Sequence, residues 1–553
     1  MALLLTGALS VSARPSAPQT APSSSPAPKP RPSVRPAVDA DDSWLIDAEG
    51  RRYRRSPLPK AQGHQKEGAA RLRTVWGIVI DLDGEDEQNF YVKTYRTDDT
   101  KTGPVVSGPT EKARAAVAAT YAFNTPTRAL LRFERFDQGL PTAGQWRNGF
   151  ELRDMDGDGA IDIVHPPARK TLGPPVIFRG DGKGNWARWR EAVFPQQRFD
   201  YGDVTVADFN QDGRPDIALA MHLLGVSVLL NEGGGRFRDG SAGMDPLGVE
   251  TAFSSRAITT GDWDGDGRPD LYALGEGPRL RLQGGGPLQS SDGVVLYHNR
   301  PDGTWEKRIT EDKSAFGDSI AVLRLENARA GLVAGSNNRG AANLLLVLGA
   351  EPWATARVLD NLRPQALVRS VAVADIDRDG FDDVVVGYST FELGHWRSGI
   401  DLMLQRPLKS TWERQALYAE DGSIGVSALA AGDLTGDSRS DIAALTGDGR
   451  VMVFVAAGRG RFTRDSTKLL PVAPACRGYH VAIADIDADG FGDIVAGFAG
   501  EPEGFAGAMS PGCPGEGSLR AWRVRPIPPP APKKPATSPT PSRRVVPVRP
   551  GTE

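Results

Sequence analysis

Short apolar runs recur along this chain, each bounded by glycine, proline or aspartate, a pattern of strands and turns rather than of long helices. From residue 129 onward the runs follow one script. An apolar strand such as 204–207 enters an aspartate-rich turn, and a second apolar strand, such as 216–220 or 383–387, leaves it. A third run follows, as in 227–230 or 451–454, then a turn and a fourth strand led by an aromatic residue. Those aromatics are Trp186, Phe237, Trp305, Trp353, Trp412 and Phe462, and recurrence at one place in each unit marks them as packing residues between neighbouring sheets. Four short strands per unit is the signature of a propeller blade.

The units are periodic. Aspartate-rich turns start at Asp154, Asp208, Asp262, Asp375, Asp433 and Asp485, in steps of 54, 54, 113, 58 and 52 residues. The long step holds two units. Residues 319–325 match 370–376, which places Arg324 where the first aspartate of a turn would stand, with no aspartate ladder after it. Seven units at this period predict an all-β, seven-bladed β-propeller of four-stranded blades. The last unit has only three strands before the proline-rich stretch 526–532 stops pairing, while the run 129–136 precedes the first unit and belongs to none. That surplus strand is expected to pair onto the last blade and close the ring, removing two exposed sheet edges.

Outside the array, residues 1–13 form a short apolar, signal-like segment ending Val11-Ser12-Ala13, without the usual positive start. Residues 14–41 read as a disordered proline-rich linker, and 526–553 as a disordered basic, proline-rich tail. Residues 42–125 read as a small β-rich module with a helix over 110–123. The propeller is expected over 128–525.

Composition adds chemistry to this frame. The chain has 64 glycines and 43 prolines in 553 residues, which suits a turn-rich β fold. No apolar run approaches the roughly 18 residues needed to span a membrane. The net charge is −3, yet the six turns place 22 aspartates at ligand positions, so the remainder of the chain is strongly basic. The two cysteines, Cys476 and Cys513, lie 37 positions apart in the last unit and fit one disulfide in an oxidising compartment.

Each turn offers hard oxygen ligands at positions 1, 3, 5 and 9, with a glycine at position 6 for the sharp bend and the backbone carbonyl of position 7, a donor set that suits Ca²⁺. The six sets are Asp154, Asp156, Asp158, Ala160 and Asp162; Asp208, Asn210, Asp212, Arg214 and Asp216; Asp262, Asp264, Asp266, Arg268 and Asp270; Asp375, Asp377, Asp379, Phe381 and Asp383; Asp433, Thr435, Asp437, Arg439 and Asp441; and Asp485, Asp487, Asp489, Phe491 and Asp493. An EF-hand is excluded, because position 12 is His165, Leu219, Ala273, Val386, Ala444 or Ala496 rather than glutamate, and strand formers follow. Five to six calcium sites of mainly structural role are expected, the sixth turn being weakened by Thr435 and by Ser438 in the glycine place.

These turns and their flanking strands resemble FG-GAP (VCBS-type) repeats over roughly 129–524. The resemblance implies an integrin-α-like seven-bladed propeller with Ca²⁺ in the blade hairpins. Enzyme motifs are not evident: there is no His-Glu-x-x-His, Gly-x-Ser-x-Gly or P-loop, and Gly180–Gly184 sits at a strand-to-strand turn. The face opposite the loops is expected to carry any binding site, lined near the channel by Asp203, Arg256, Asp318, Arg369, Tyr479 and His480. The expectation is a non-catalytic, monomeric binding or adhesion scaffold, secreted, periplasmic or envelope-associated, with a protein or glycan partner and no nucleic acid. The alternatives are a lectin-like propeller and, behind it, a polysaccharide lyase or hydrolase, since propellers host many functions.

Overall fold

The computed structural model describes residues 129–528 apart from 170–172, 248–253, 278–292, 310–315, 325–329, 336–343, 349–355, 359–365, 393–394, 407–410, 423–424, 467–475 and 501–512, together with five strands between 37 and 97. The signal-like segment, the helix over 110–123 and the C-terminal tail lie outside the described residues. The N-terminal strands form two small antiparallel sheets, and the first of them, Ala37–Val38, falls within the stretch expected to be a disordered linker. Ala37–Val38, Trp44–Ile46 and Arg52–Arg54 form one small sheet, and Arg73–Ile80 pairs antiparallel with Phe90–Thr97.

From residue 131 the strands build four-stranded antiparallel sheets in a propeller arrangement, numbered here I to VII: 151–188, 202–239, 255–309, 319–358, 367–421, 426–464 and 477–526. The expected count of seven blades is corrected to six. Six sheets are blades formed from a single stretch of chain. The seventh is composite: its fourth strand is Leu131–Arg135, from the other end of the array. Arg135 lies opposite Trp522, Phe133 opposite Val524 and Leu131 opposite Pro526. The Leu131 N–H also donates to Asp465 in the neighbouring sheet at 2.9 Å. The proline stretch ends one strand, and the surplus strand upstream takes the vacant edge.

The first strands of adjacent sheets lie side by side around the axis, including those of sheets VII and I, so the ring is closed. The second strands are sandwiched between neighbouring sheets. Asp216–Met221, Asp441–Thr446 and Asp493–Ala499 are buried along their whole length, which explains why they read as continuous apolar runs instead of alternating ones. Between sheets I and II, Val164 and Ile177 meet Val204, Val206 and Leu219. Between VII and I, Phe150, Ile163 and Phe178 meet Val495, Leu519 and Ala521. Each such side chain contributes about 1.5–3 kcal/mol of burial. The fourth-strand aromatics join these layers: Trp186, Phe237 and Trp305 are buried, and Trp412 and Phe462 pack against them, while Trp353 lies outside the described residues. Cys476 and Cys513 are joined by a disulfide, Cα–Cα 4.8 Å, beside the strands of the composite sheet. Among the described residues no helix is long and apolar enough to cross a membrane.

Candidate functional site

Every aspartate turn joins a first strand to a second, so all six lie at the same end of the ring. Within a turn, position 1 folds the backbone onto itself. In the third, Asp262 accepts the N–H of Gly265 at 2.8 Å, of Asp266 at 3.1 Å and of Gly267 at 2.9 Å. Position 5 accepts the N–H of position 7 in all six, from Ala160, Arg214, Arg268, Phe381, Arg439 and Phe491. Position 6 adopts left-handed backbone throughout. Gly159, Gly213, Gly267, Gly380 and Gly490 have φ between 83° and 92°, and Ser438 takes φ 62° without being glycine.

Position 9 has a second role that residue spacing did not disclose. Asp162, Asp216, Asp270, Asp383, Asp441 and Asp493 are at most 1% exposed. One oxygen of each accepts the N–H of position 2, at 2.7–3.2 Å. The other accepts an N–H from the third strand, at 2.7–3.0 Å. The side chain therefore staples the turn to its own sheet. Burial, aided by the neighbouring turn carboxylates, pushes Asp162 and Asp383 up to about 7 and Asp216, Asp270, Asp441 and Asp493 up to about 6.

Four turns bring carboxylate oxygens of positions 1, 3 and 9 within 4.8 Å of one another: Asp154, Asp156 and Asp162; Asp262, Asp264 and Asp270; Asp375, Asp377 and Asp383; and Asp485, Asp487 and Asp493. Such convergence of like charges fits a divalent cation. The other two turns form no three-acid group among the described residues. In them position 3 donates a hydrogen bond instead of adding charge, Asn210 to Asp212 at 2.9 Å and Thr435 to Asp433 at 3.4 Å. In sheet IV, Arg324 holds the next turn from outside, its N–H on Asp382 at 2.6 Å and its guanidinium on the Gly380 carbonyl at 2.8 Å.

Third-strand side chains add contacts not anticipated from sequence. Arg179 meets Asp156 at 3.2 Å, Arg406 meets Asp377 at 2.6 Å, and Arg525 meets Asp487 at 2.8 Å. In sheet III the corresponding group is His298, whose Nε2 lies 3.0 Å from Asp264. It stands with Asp264 and Asp266 as a further metal-compatible trio. Buried amides also latch neighbouring sheets together. Asn231 donates to the Met155 carbonyl at 3.2 Å, Asn299 to that of Phe209 at 2.8 Å, and Gln405 to that of Arg324 at 3.2 Å. A recurring amide at the end of the third strand was the available signal.

At the opposite end the first strands begin, and there the axis opens into a cavity of about 250 Å³. All six residues expected on this face, Asp203, Arg256, Asp318, Arg369, Tyr479 and His480, line it, together with Arg147, Glu151 and Arg477. Asp203 braces sheets II and III by accepting the Ile258 N–H at 3.0 Å. Gly149 leaves it room, since a Cβ there would stand 1.7 Å from the Asp203 carboxylate. Arg256 bridges Glu276 at 3.0 Å and Asp318 at 3.1 Å. Burial alone would raise Glu276, but the His222 hydrogen bond and the Arg256 charge hold it down at about 2. Burial pushes Glu151 and Asp203 up to about 7 and His480 down to about 4.

A family model described as FG-GAP-like repeat matches residues 154–219 and 402–496, and one described as FG-GAP repeat matches 367–394. No curated protein matches the chain. Among solved structures, two crystal structures of BBS1N in complex with ARL6DN, one soaked with mercury and one with lead, align at 10% identity. Each alignment covers 72% of this chain and 98% of that chain, with a TM-score of 0.41.

Proposed function

Because the chain is an FG-GAP repeat β-propeller, we propose that it is a calcium-stabilised, non-catalytic binding scaffold that engages a protein or glycan partner at the channel mouth. The observation that carries the binding role is the convergence of six charged and aromatic residues, from five sheets, on one cavity at the end of the ring away from the turns. The residues that would hold the ion are positions 1, 3 and 9 of the four converging turns. Calcium would supply there the positive charge that offsets three mutually repelling carboxylates. The remaining work is done by the chain itself: backbone N–H groups preorganise the position 1 and position 9 carboxylates, and third-strand arginines screen their outer side.

Export to an oxidising, calcium-rich compartment accords with the disulfide and with sites of this open kind. The test is capture of partners from native envelope material with and without calcium. Partners held by the wild-type chain should be lost from the Arg256→Ala and Arg369→Ala variants, both of which should still melt cooperatively. Retention by both variants would refute the assignment of the face.

A further inference from the structure

We propose that sheet III carries a second kind of metal site, for a divalent transition-metal ion of the zinc class, built from Asp264, Asp266 and His298. One donor atom from each of the three lies within 4.8 Å of the others. The site is independent of the channel mouth and of any partner bound there. It shares Asp264 with the oxygen-only group of Asp262, Asp264 and Asp270, but adds a nitrogen from a different strand, Val294–Asn299.

One register position makes the difference. In each sheet the third-strand residue in question directly precedes the one whose N–H bonds the position 9 carboxylate. It is Arg179 in sheet I, His298 in III and Arg523 in VII. All three reach the turn. Arg179 lies 3.2 Å from Asp156, Arg523 lies 2.8 Å from Asp487 and 3.4 Å from Asp489, and His298 Nε2 lies 3.0 Å from Asp264. In sheets II, V and VI the place is taken by Leu230, Leu404 and Val455, which have no polar group to offer. A guanidinium has donors only, so in sheets I and VII it pairs with the carboxylates and cannot ligate an ion. An imidazole carries a lone pair, and the same place in sheet III becomes a ligand position.

The ring is already aimed. The His298 side chain is 15% exposed, and the Trp263 ring meets it edge-on at 5.5 Å. Its Nδ1 is buried and has no hydrogen-bond partner among the described residues, so packing holds the ring with Nε2 turned to the carboxylate. Three protein ligands of the imidazole and carboxylate kind, with water completing the shell, make an open zinc site. Calcium takes oxygen donors and gains nothing from the imidazole.

The test titrates Zn²⁺ into the full chain by calorimetry at pH 7, in excess calcium so that the oxygen-only turns are filled. The wild type should take up one zinc ion. His298→Arg, which installs the residue that sheets I and VII carry at this place, should weaken that uptake by about a hundredfold or more, since losing a ligand costs at least as much as losing its outer partner. Asp266→Asn, which spares the oxygen-only group, should weaken it by about tenfold. Both variants should still melt cooperatively in calcium. Co²⁺ in place of Zn²⁺ should give visible absorption bands with the wild type that are missing with His298→Arg. Zinc uptake absent from the wild type, or equal in the wild type and His298→Arg, would overturn the proposal. So would Co²⁺ bands that persist in His298→Arg.

Discussion

Replacing Asp441 by alanine separates the stapling role of position 9 from any role in metal binding. Asp441 is fully buried and accepts two backbone N–H groups, from Leu434 at 2.9 Å and Ala456 at 2.7 Å. Its turn forms no three-acid group among the described residues, so little metal stabilisation is at stake. Alanine leaves two buried donors without acceptors, at about 1–3 kcal/mol each. Removing a carboxyl that burial has pushed up to about 6 returns part of that cost at neutral pH. The expected net loss is about 2–4 kcal/mol, and Asp441→Asn, which keeps one acceptor oxygen, should lose about half as much. Urea unfolding followed by tryptophan fluorescence at pH 7 measures it, once in chelator and once in calcium. The loss should be the same in both. A loss under about 1 kcal/mol in chelator, or one that appears only with calcium, would show that position 9 serves the ion and not the backbone.

Asn299→Ala should cost about 2 kcal/mol in the same assay, because its buried amide bonds the Phe209 carbonyl of the neighbouring sheet and the Pro269 carbonyl of its own; an effect below about 0.5 kcal/mol would mean that the amide latches nothing. Asp203 binds its proton more tightly folded than unfolded, so the wild type loses stability as pH rises from about 4 to about 7. In saturating calcium, Asp203→Asn keeps an acceptor for the Ile258 N–H and should gain on the order of a few kcal/mol over the wild type at pH 8 but nothing at pH 4; parallel pH profiles would contradict this. Replacing Cys476 and Cys513 together by serine opens a loop of 37 residues and should lower stability by about 4 kcal/mol, read as a fall in the urea midpoint.

Much of the fold was legible because a repeat announces itself many times. Six aspartate turns in register marked the strand junctions, and the mismatch between a three-stranded last unit and a surplus strand at 129–136 pointed to closure by Leu131–Arg135. The six residues placed on the far face followed from strand polarity alone. Less legible was whatever depends on how one sheet sits against the next. Asn231, Asn299 and Gln405 read as ordinary polar residues until the neighbouring carbonyl is seen within reach. His298 follows Asp264 by 34 positions, and only antiparallel register brings its ring to that carboxylate. Position 4 hid a backbone demand: Gln211, Arg378 and Ala488 are left-handed there although none is glycine.

The central claim, that cations gathered by the turns stabilise the ring, is tested most directly by melting the protein in calcium and again in chelator. Free calcium about tenfold above Kd adds roughly 1.4 kcal/mol per site, so four converging turns add about 6 kcal/mol. With an unfolding entropy of about 2.1 cal/mol/K per residue over a ring of some 400 residues, Tm should rise by about 7 °C. Magnesium at the same concentration should achieve less, because it keeps its water and demands tighter geometry. A Tm that is unchanged by calcium would contradict the account.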